Sequence, residues 1–258
     1  MSWTRVTKAN RCVLCGRPDW CTVGDFFYCC MRVQSPQPCK NGGWLHPIKG
    51  ERKPLPPPPP RPVINCKELL TGWSRATKDE MLGLLGKNLG MTTQTLRALN
   101  CCWATPHHAW AFPMSDAYGN RVGIRLRSES GHKWSVAGSH QGLFIPDGKW
   151  DKMLVVTEGC TDCGAALDLG YWSVGRPSCS GGVTDLVNLV KRRGVRRVVI
   201  VSDNDTPGIS GAKMLQNHLP VTSCIIVLPA KDLRLSVQLG ATRDLIDSMI
   251  NSAIWCAK

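Results

Sequence analysis

Two apolar runs constrain the fold of this chain most strongly, because each is short, β-branched and followed at once by carboxylates. They are residues 154–157 (Leu-Val-Val-Thr) and residues 198–202 (Val-Val-Ile-Val-Ser). Runs of this kind, bounded by glycine and proline, predict fully buried strands. Helix-like segments at 163–169 and 183–193 lie between the two runs, and the order strand, helix, strand predicts a parallel sheet with crossover helices. The fold class expected is therefore α/β.

Four carboxylates follow the two predicted strands directly. Glu158 and Asp162 come after the first strand, and Asp203 and Asp205 come after the second. Because ligands of parallel sheets lie beyond the carboxyl ends of the strands, we expect the four side chains to converge there. Clustered carboxylates repel one another unless a cation lies between them, and oxygen ligands suit Mg²⁺ or Mn²⁺. The alternative for each turn alone is a surface turn or a helix cap without a metal.

The order of these features resembles a TOPRIM domain. One predicted strand leads into Glu-Gly-x-x-Asp at 158–162, and the next leads into Asp-x-Asp-x-x-Gly at 203–208. TOPRIM domains occur in bacterial and phage primases, topoisomerases, some nucleases and recombination mediators. A further strand is predicted at 221–228, and Lys231 and Asp232 follow it, where primase-type members carry a Lys-Asp pair.

The TOPRIM resemblance implies a set of site residues at the sheet edge. The catalytic residues that it implies are Glu158, Asp203 and Asp205. The ligands of Mg²⁺ or Mn²⁺ that it implies are Glu158, Asp162, Asp203, Asp205 and Asp232.

The composition favours a nucleic-acid partner. The chain has 258 residues and a net charge of +13, and a basic excess of that size favours a polyanion. No apolar run approaches the ~20 residues of a membrane span. The first residues also lack the apolar core of a signal sequence. We therefore expect a cytoplasmic protein without a membrane partner.

Residues 1–50 are predicted to form a small zinc-binding module. The chain has 14 cysteines, and in a cytoplasmic protein this number favours metal ligands and buried thiols over disulfides. Cys12 and Cys15 have the two-residue spacing of a zinc site, and a segment this short buries little core without a metal. The candidates for the remaining ligands are Cys21, Cys29, Cys30, Cys39 and His46.

The same module resembles the N-terminal zinc ribbon of phage-type primases. The shared features are Cys-x-x-Cys-Gly-x-x-Asp-Trp-Cys at 12–21, Cys-x-Arg at 30–32 and Gly-Trp-Leu-His at 43–46. This resemblance implies that the module helps to select the template site. The Zn²⁺ ligands that it implies are Cys12, Cys15, Cys30 and His46, with Cys21 and Cys39 in reserve.

A proline-rich segment separates this module from the rest of the chain. Residues 56–60 are all proline, and such a run adopts an extended, semi-rigid form. The expected domains are a zinc ribbon at 1–50, a linker at 51–62, an α+β region at 63–150 and the TOPRIM domain at 151–258.

The sequence pattern of residues 63–150 predicts helices at 67–85 and 93–100 and then a β-hairpin around a turn at 116–120. Strands at 133–136 and 143–146 extend its sheet. Strand residues two apart point the same way, so basic residues of the hairpin can share a face. Phage-type primases carry basic residues for nucleotide and template in this half. The set implied here is Arg121, Arg125, Arg127 and Lys133, together with Lys231; a solvated polar face is the alternative for each.

A closing helix is predicted at 242–255, with its start capped at or just before Thr242. Its apolar face is expected to pack on the sheet. That face comprises Leu245, Ile246, Met249, Ile250 and Ile254.

Together the resemblances imply a DNA primase of phage or mobile-element type. Such an enzyme is a nucleotidyltransferase that makes short RNA primers from NTPs on single-stranded DNA. The sequence has no Gly-x-x-x-x-Gly-Lys-Ser/Thr motif, so any replicative helicase is expected to be another chain. The alternatives are a TOPRIM nuclease and a non-catalytic accessory protein of replication or recombination. A topoisomerase needs a nucleophilic tyrosine, and Tyr28, Tyr118 and Tyr171 have no recognisable setting for one.

Overall fold

The computed structural model describes residues 3–39, 42–48 and 63–257, and it divides into two units, Met1–Pro60 and Arg61–Lys258. The linker predicted at 51–62 lies outside the described residues. No helix within the described residues is long and apolar enough to cross a membrane.

The first unit contains a small antiparallel sheet with the strands in chain order. Its strands are β1 (Thr4–Arg5), β2 (Thr22–Val23), β3 (Phe27–Cys30) and β4 (Trp44–Pro47). Cysteines 12, 21 and 30 make up much of its buried core, with Val6 and Val23 beside them. So small an apolar core supplies little stability on its own, and thiolates bound to a metal would supply the rest.

The second unit opens with three helices, α1 (Cys66–Ala76), α2 (Asp79–Leu89) and α3 (Thr93–Ala98). The single helix predicted at 67–85 is therefore wrong, because the chain becomes extended at Thr77, with φ −85° and ψ 119°. The Thr77 hydroxyl accepts the backbone N–H of Trp103 at 2.8 Å, a contact that a continuous helix would not offer. Gly90, with a φ of 68°, ends α2 in the left-handed conformation that glycine adopts readily.

An antiparallel sheet follows, with strands β5 (Cys102–Ala104), β6 (Ala109–Ser115), β7 (Arg121–Arg127) and β8 (Lys133–Ser135) in that order. The predicted hairpin is confirmed as β6 and β7. The strand predicted at 143–146 does not form a full strand. Leu143 instead pairs with Ser115 of β6, while Phe144 pairs with Gly175, so this segment joins two sheets.

The other sheet of the second unit is fully parallel and has the strand order β10–β9–β11–β12. Its strands are β9 (Met153–Glu158), β10 (Ser173–Arg176), β11 (Arg197–Ser202) and β12 (Thr222–Val227), with α4 (Gly159–Asp168), α5 (Val183–Arg193) and α6 (Thr206–His218) as the connecting helices. The predicted parallel α/β arrangement is confirmed. The edge strand β10 had not been foreseen, and α4 begins at Gly159, four residues before the predicted start at 163.

Two more helices, α7 (Leu233–Gln238) and α8 (Arg243–Ser252), complete the unit. Thr242 caps α8 as predicted, its hydroxyl accepting the N–H of Leu245 at 3.3 Å. The helix ends three residues before the predicted Trp255. Ile246 and Ile250 are buried, but Leu245 and Ile254 are 46% and 86% exposed, so those two positions of the predicted apolar face are wrong.

The boundary expected between residues 150 and 151 separates two sheets within one unit. One buried cluster contains Leu82, Leu96, Phe112 and Cys163, and so spans the helices, the antiparallel sheet and α4. Asp168, at the end of α4, adds a polar link between these parts. Its carboxylate accepts the backbone N–H of Thr92 at 3.0 Å and the hydroxyls of Thr92 and Thr95, both at 2.6 Å.

Replacing Asp168 by alanine should lower the free energy of unfolding by about 2 kcal/mol, because three donors at the start of α3 lose a charged acceptor. A negative charge at the end of α4 is unfavourable by itself, but it is favourable at the start of α3. Urea unfolding followed by circular dichroism measures the change. Asp244→Ala, at an exposed carboxylate of α8, is the control and should cost less than about 0.5 kcal/mol; equal losses would contradict the assignment.

Candidate functional site

Carboxylates collect at the carboxyl edge of the parallel sheet. Glu158 is the last residue of β9, and Asp203 directly follows β11. These two side chains, with Asp162 of α4 and Asp232 of the turn before α7, line one pocket of about 200 Å³. Asp205 lies beside this group rather than in the pocket lining, and its charge acts on Glu158 and Asp203.

Helix caps orient two of these carboxylates. Asp205 Oδ1 accepts the N–H of Gly208 at 2.7 Å at the start of α6, and Asp232 Oδ1 accepts the N–H of Leu235 at 2.7 Å at the start of α7. Asp162 Oδ1 accepts the N–H of Arg234 at 2.9 Å. Each cap uses only one oxygen of the carboxylate, so a cap does not exclude metal binding by the other oxygen.

Burial and mutual repulsion destabilise the charged forms of these groups. Burial, together with the charges of Glu158, Asp232 and Asp205, raises the pKa of Asp203 to about 7. Burial also raises the pKa of Asp162 to about 7, with Asp232 and Asp203 adding to it. The pKa of Glu158 is likewise raised by burial, although the nearby Arg176 opposes this shift. A bound cation would relieve this cost.

The donor chemistry fits Mg²⁺ or Mn²⁺, and the spacing of the donors indicates an open site. The carboxylates supply only oxygen ligands, which hard cations prefer. Within residues 3–39, 42–48 and 63–257, no three carboxylates have their oxygens all within 4.8 Å of one another. Mg²⁺ commonly binds to one or two carboxylates and completes its shell with water and substrate phosphates, so the arrangement suits a metal that arrives with a phosphate substrate.

Basic side chains from the other sheet face the carboxylates. Arg125 and Arg127 of β7 and Lys133 of β8 line the same pocket, and Lys231, from the turn after β12, also lines it. Arg127 and Lys133 are direct partners in the β7–β8 pairing. The pocket therefore brings the carboxylates together with cations of a kind that can hold the phosphates of a nucleotide.

Arg121, the fifth predicted basic residue, lies elsewhere, and its assignment to the basic face is wrong. The pairing of β6 with β7 shifts between Met114 and Ser115, which inserts one extra residue into β7. Such a bulge reverses the facing of the residues beyond it. Arg121 consequently lines a separate pocket beside α1, and its Nη1 donates to Ser115 Oγ at 3.0 Å.

The sequence analysis did not predict two arginines that lie at this site. Arg234 lines the acidic pocket. Arg176 is 2% exposed, lies opposite Glu158 in the β9–β10 pairing, and donates from Nη2 to the carbonyl of Cys179 at 2.7 Å and from Nε to that of Gly181 at 3.1 Å. The short run Ser-Val-Gly-Arg-Pro at 173–177 was the available signal for this strand.

Two glycines allow the close approach of backbone at this site. Gly159 has a φ of +77°, a conformation that lets β9 turn directly into α4. A Cβ on Gly175 would lie 2.2 Å from the carbonyl oxygen of Gly159, so β10 can approach the turn only with glycine there. The Glu158–Gly159 turn therefore depends on both.

A second candidate metal centre lies in the first unit. The thiols of Cys12, Cys15, Cys21 and Cys30 all lie within 4.8 Å of one another. The Cys12–Cys30 and Cys21–Cys30 sulfur distances are both 3.9 Å, and the Cys15–Cys21 distance is 3.7 Å. Tetrahedral zinc with Zn–S bonds of about 2.3 Å requires sulfurs about 3.8 Å apart, so this set fits a Cys₄ zinc site.

The structure places Cys21, and not the predicted His46, in this cluster, so its geometry favours Cys21 as the fourth ligand. His46 lies on β4 opposite Tyr28, and its Nε2 is 3.1 Å from the carbonyl oxygen of Val33. Cys21 follows Trp20, whose φ of +63° turns the chain before Cys21, and its side chain is buried with the other thiols. The reserve residue Cys39 instead lies beside Cys29, with the sulfurs 2.8 Å apart.

Cys21→Ser should abolish stoichiometric zinc in the purified protein, because it removes one of four thiolates around the ion. His46→Ala, the matched test of the sequence-based ligand set, should retain it. Metal content by inductively coupled plasma mass spectrometry decides between them. Zinc lost from the His46 variant but kept in the Cys21 variant would overturn the cysteine assignment.

Without divalent cations, stability should fall as the pH rises towards and through about 7, the pKa that burial and neighbouring charges give to Asp162 and Asp203. The folded state binds more protons than the unfolded state here, so these groups stabilise most below their unfolded pKa of 3.8. Thermal unfolding across this range measures the effect. Mg²⁺ should raise the melting temperature at pH 8 far more than at pH 5.

The control for this pH dependence is Asp203→Asn, which cannot ionise and should flatten the profile. A profile that rises from pH 5 to pH 8 in the metal-free protein would contradict the raised pKa values.

Comparisons with known proteins agree with this architecture. No protein-family model and no curated protein matches the sequence, but solved structures do match the fold. The catalytic core of Escherichia coli primase is 15% identical with a TM-score of 0.56, over 73% of this chain and 79% of that one. The primase fragment of the bacteriophage T7 primase-helicase protein is 19% identical with a TM-score of 0.51, over 93% and 97%.

The zinc-binding and RNA polymerase domains of Aquifex aeolicus primase are also similar, at 14% identity and a TM-score of 0.57, over 73% of this chain and 60% of that one. The similar structures come from bacterial and phage primases alike, so an origin in a phage or mobile element stays a prediction. The chain therefore has the fold of the primase catalytic core, with a cysteine cluster in a small N-terminal unit.

Proposed function

We propose that the chain is a DNA primase, a nucleotidyltransferase that synthesises short RNA primers on single-stranded DNA. The observation that carries this proposal is the composite pocket, in which Glu158, Asp203 and Asp232 face Arg127 and Lys133 across two sheets. Carboxylates alone would suit several metal-dependent reactions. Opposed cations add a place for the phosphates of an incoming nucleotide, which a polymerising enzyme needs.

The carboxylates would hold the metal of the reaction. Glu158 and Asp203 are the inward groups at the strand ends, and Asp162, Asp205 and Asp232 surround them. Bound Mg²⁺ or Mn²⁺ would supply activation of the attacking 3′-hydroxyl and neutralisation of the departing pyrophosphate. The raised pKa values of Asp162 and Asp203, both about 7, mean that these two acids are only partly charged near neutral pH until a cation binds.

The basic side chains would bind and orient the NTP. Arg125 and Arg127 project from alternate positions of β7, and Lys133 lies opposite Arg127. Guanidinium groups bind phosphate oxygens in pairs, which fixes the orientation of the triphosphate as well as its position. Lys231 and Arg234 approach from the TOPRIM side, so the phosphates would be held between both halves of the unit.

The zinc module and the remaining partners follow from the same proposal. The cysteine cluster would hold Zn²⁺ and shape a module that contacts the template. Similar primase structures have been solved with single-stranded DNA bound, and the net charge of +13 suits such a partner. A separate replicative helicase is the expected protein partner, and the cytoplasm is the expected compartment.

Glu158→Gln and Asp203→Asn should each reduce primer synthesis by at least about 100-fold, because each removes a charge that holds the metal. The assay uses mixed-sequence single-stranded DNA, labelled NTPs and Mg²⁺ or Mn²⁺, with products resolved on a denaturing gel. Asp244→Asn, an exposed carboxylate on α8, is the matched control and should behave as wild type.

The rival functions give different results in the same assay. Shortening of the DNA without NTPs would show a nuclease that uses the same carboxylates. Tight, salt-sensitive binding to single strands without products, unchanged by Glu158→Gln, would show an accessory protein without catalysis. Either result would overturn the primase proposal.

A further inference from the structure

A second basic pocket lies on the other face of the antiparallel sheet. It has a volume of about 360 Å³ and is lined by Lys67 and Arg75 of α1 and by Arg121 of β7. Among the residues that the structure describes, no carboxylate lines it. Three cations around one concave surface repel one another, and an anion between them would remove that repulsion.

Strand geometry separates this pocket from the acidic one. Arg125 and Arg127 point into the acidic pocket, while Arg121 on the same strand lines the pocket beside α1. The bulge in β7 separates the two sets. A phosphate held by Arg125 and Arg127 therefore cannot also be held by Arg121, and the second pocket needs a ligand group of its own.

Arg121 is held in place before any ligand binds. Its guanidinium is half-buried and donates to Ser115 Oγ at 3.0 Å. Burial lowers the pKa of Arg121, and the charge of Asp147 offsets this only in part. Among the described residues, Arg121 and Asp147 are not close enough to form an ion pair. A fixed, partly dehydrated guanidinium binds an oxyanion with little loss of side-chain entropy.

The remaining surface of the pocket suits a nucleotide more than a simple salt ion. Leu70 and Pro113 supply a buried apolar floor, and Ser74 adds a polar residue to the lining. Ligand pockets of about 300–1,000 Å³ typically combine such an apolar surface with a few polar groups. A phosphate beside a sugar or base would satisfy both parts.

We propose that the pocket formed by Lys67, Arg75 and Arg121 binds the phosphate groups of a nucleotide or of a nucleic-acid strand, at a site separate from the acidic pocket. The two sources share the phosphate chemistry that the three cations recognise. The site requires no divalent metal, because its lining contains no carboxylate that would repel the phosphate. The proposal does not depend on whether the acidic pocket synthesises primers.

The test is calorimetric titration of the full chain with inorganic tripolyphosphate in buffer free of divalent cations. Wild type should bind the anion, and variants of the two pockets decide which pocket holds it. Arg121→Gln should weaken binding about tenfold through loss of a charge-assisted hydrogen bond. Lys213→Gln, at an exposed cation of α6 that lines neither pocket, should leave it within about twofold. Arg127→Gln removes a cation of the acidic pocket and shows whether that pocket holds the anion.

A second variant tests the same pocket in case Arg121→Gln does not fold. Lys67 and Arg75 are exposed, so the double variant Lys67→Gln/Arg75→Gln should fold normally by circular dichroism and still bind at least about tenfold more weakly. Equal binding by this double variant and wild type would overturn the proposal. Loss of binding in Arg127→Gln instead would also overturn it, because the anion would then occupy the acidic pocket.

Competition identifies the source of the phosphate. Displacement of tripolyphosphate by ATP, but not by a short oligothymidylate, would assign the site to a free nucleotide. The reverse result would assign it to a nucleic-acid strand. Displacement by neither would overturn the proposal, since the pocket would then recognise an inorganic anion only.

Discussion

Four backbone hydrogen bonds at Leu143 and Phe144 hold the two sheets of the second unit together, and the candidate site depends on them. Leu143 exchanges N–H···O bonds of 2.8 and 2.7 Å with Ser115 of β6, and Phe144 exchanges bonds of 2.8 and 3.0 Å with Gly175 of β10. β6 carries β7 beside it, and β10 lies next to β9. This link therefore sets the basic residues of one sheet against the carboxylates of the other.

The electrostatics of the site follow from that placement. The carboxylates at the ends of β9 and β11 are partly buried, so their charged forms are costly without a cation. Arg176 offsets part of this cost for Glu158 from the edge strand, where its side chain is held by three backbone carbonyl oxygens. The arrangement of the acids suits a divalent cation, and Arg127 and Lys133 lie in the same pocket, where they could meet a phosphate.

The first unit has very little apolar core, so its folding needs another source of stability. Its buried residues are largely thiols, and the sulfur spacing matches the edges of a tetrahedron around zinc. Metal binding would then supply most of the folding free energy of the module. The ligand identity depends on the turn at Trp20, which the cysteine spacing alone did not reveal.

The sequence by itself determined the parallel α/β sheet, the order of its acidic turns, the hairpin of the basic sheet and the cysteine-rich module. These features are local: β-branched runs, glycine turns and two-residue cysteine spacing depend on neighbours in the chain. Tertiary structure alone decided which of them meet. The β7 bulge places Arg121 and Arg125 on different faces of the sheet, and the break at Thr77 divides one predicted helix into two. Arg176 reaches the site from an edge strand whose sequence pattern is too weak to predict a strand. Each of these outcomes depends on how one element pairs or packs with another, which local periodicity does not encode.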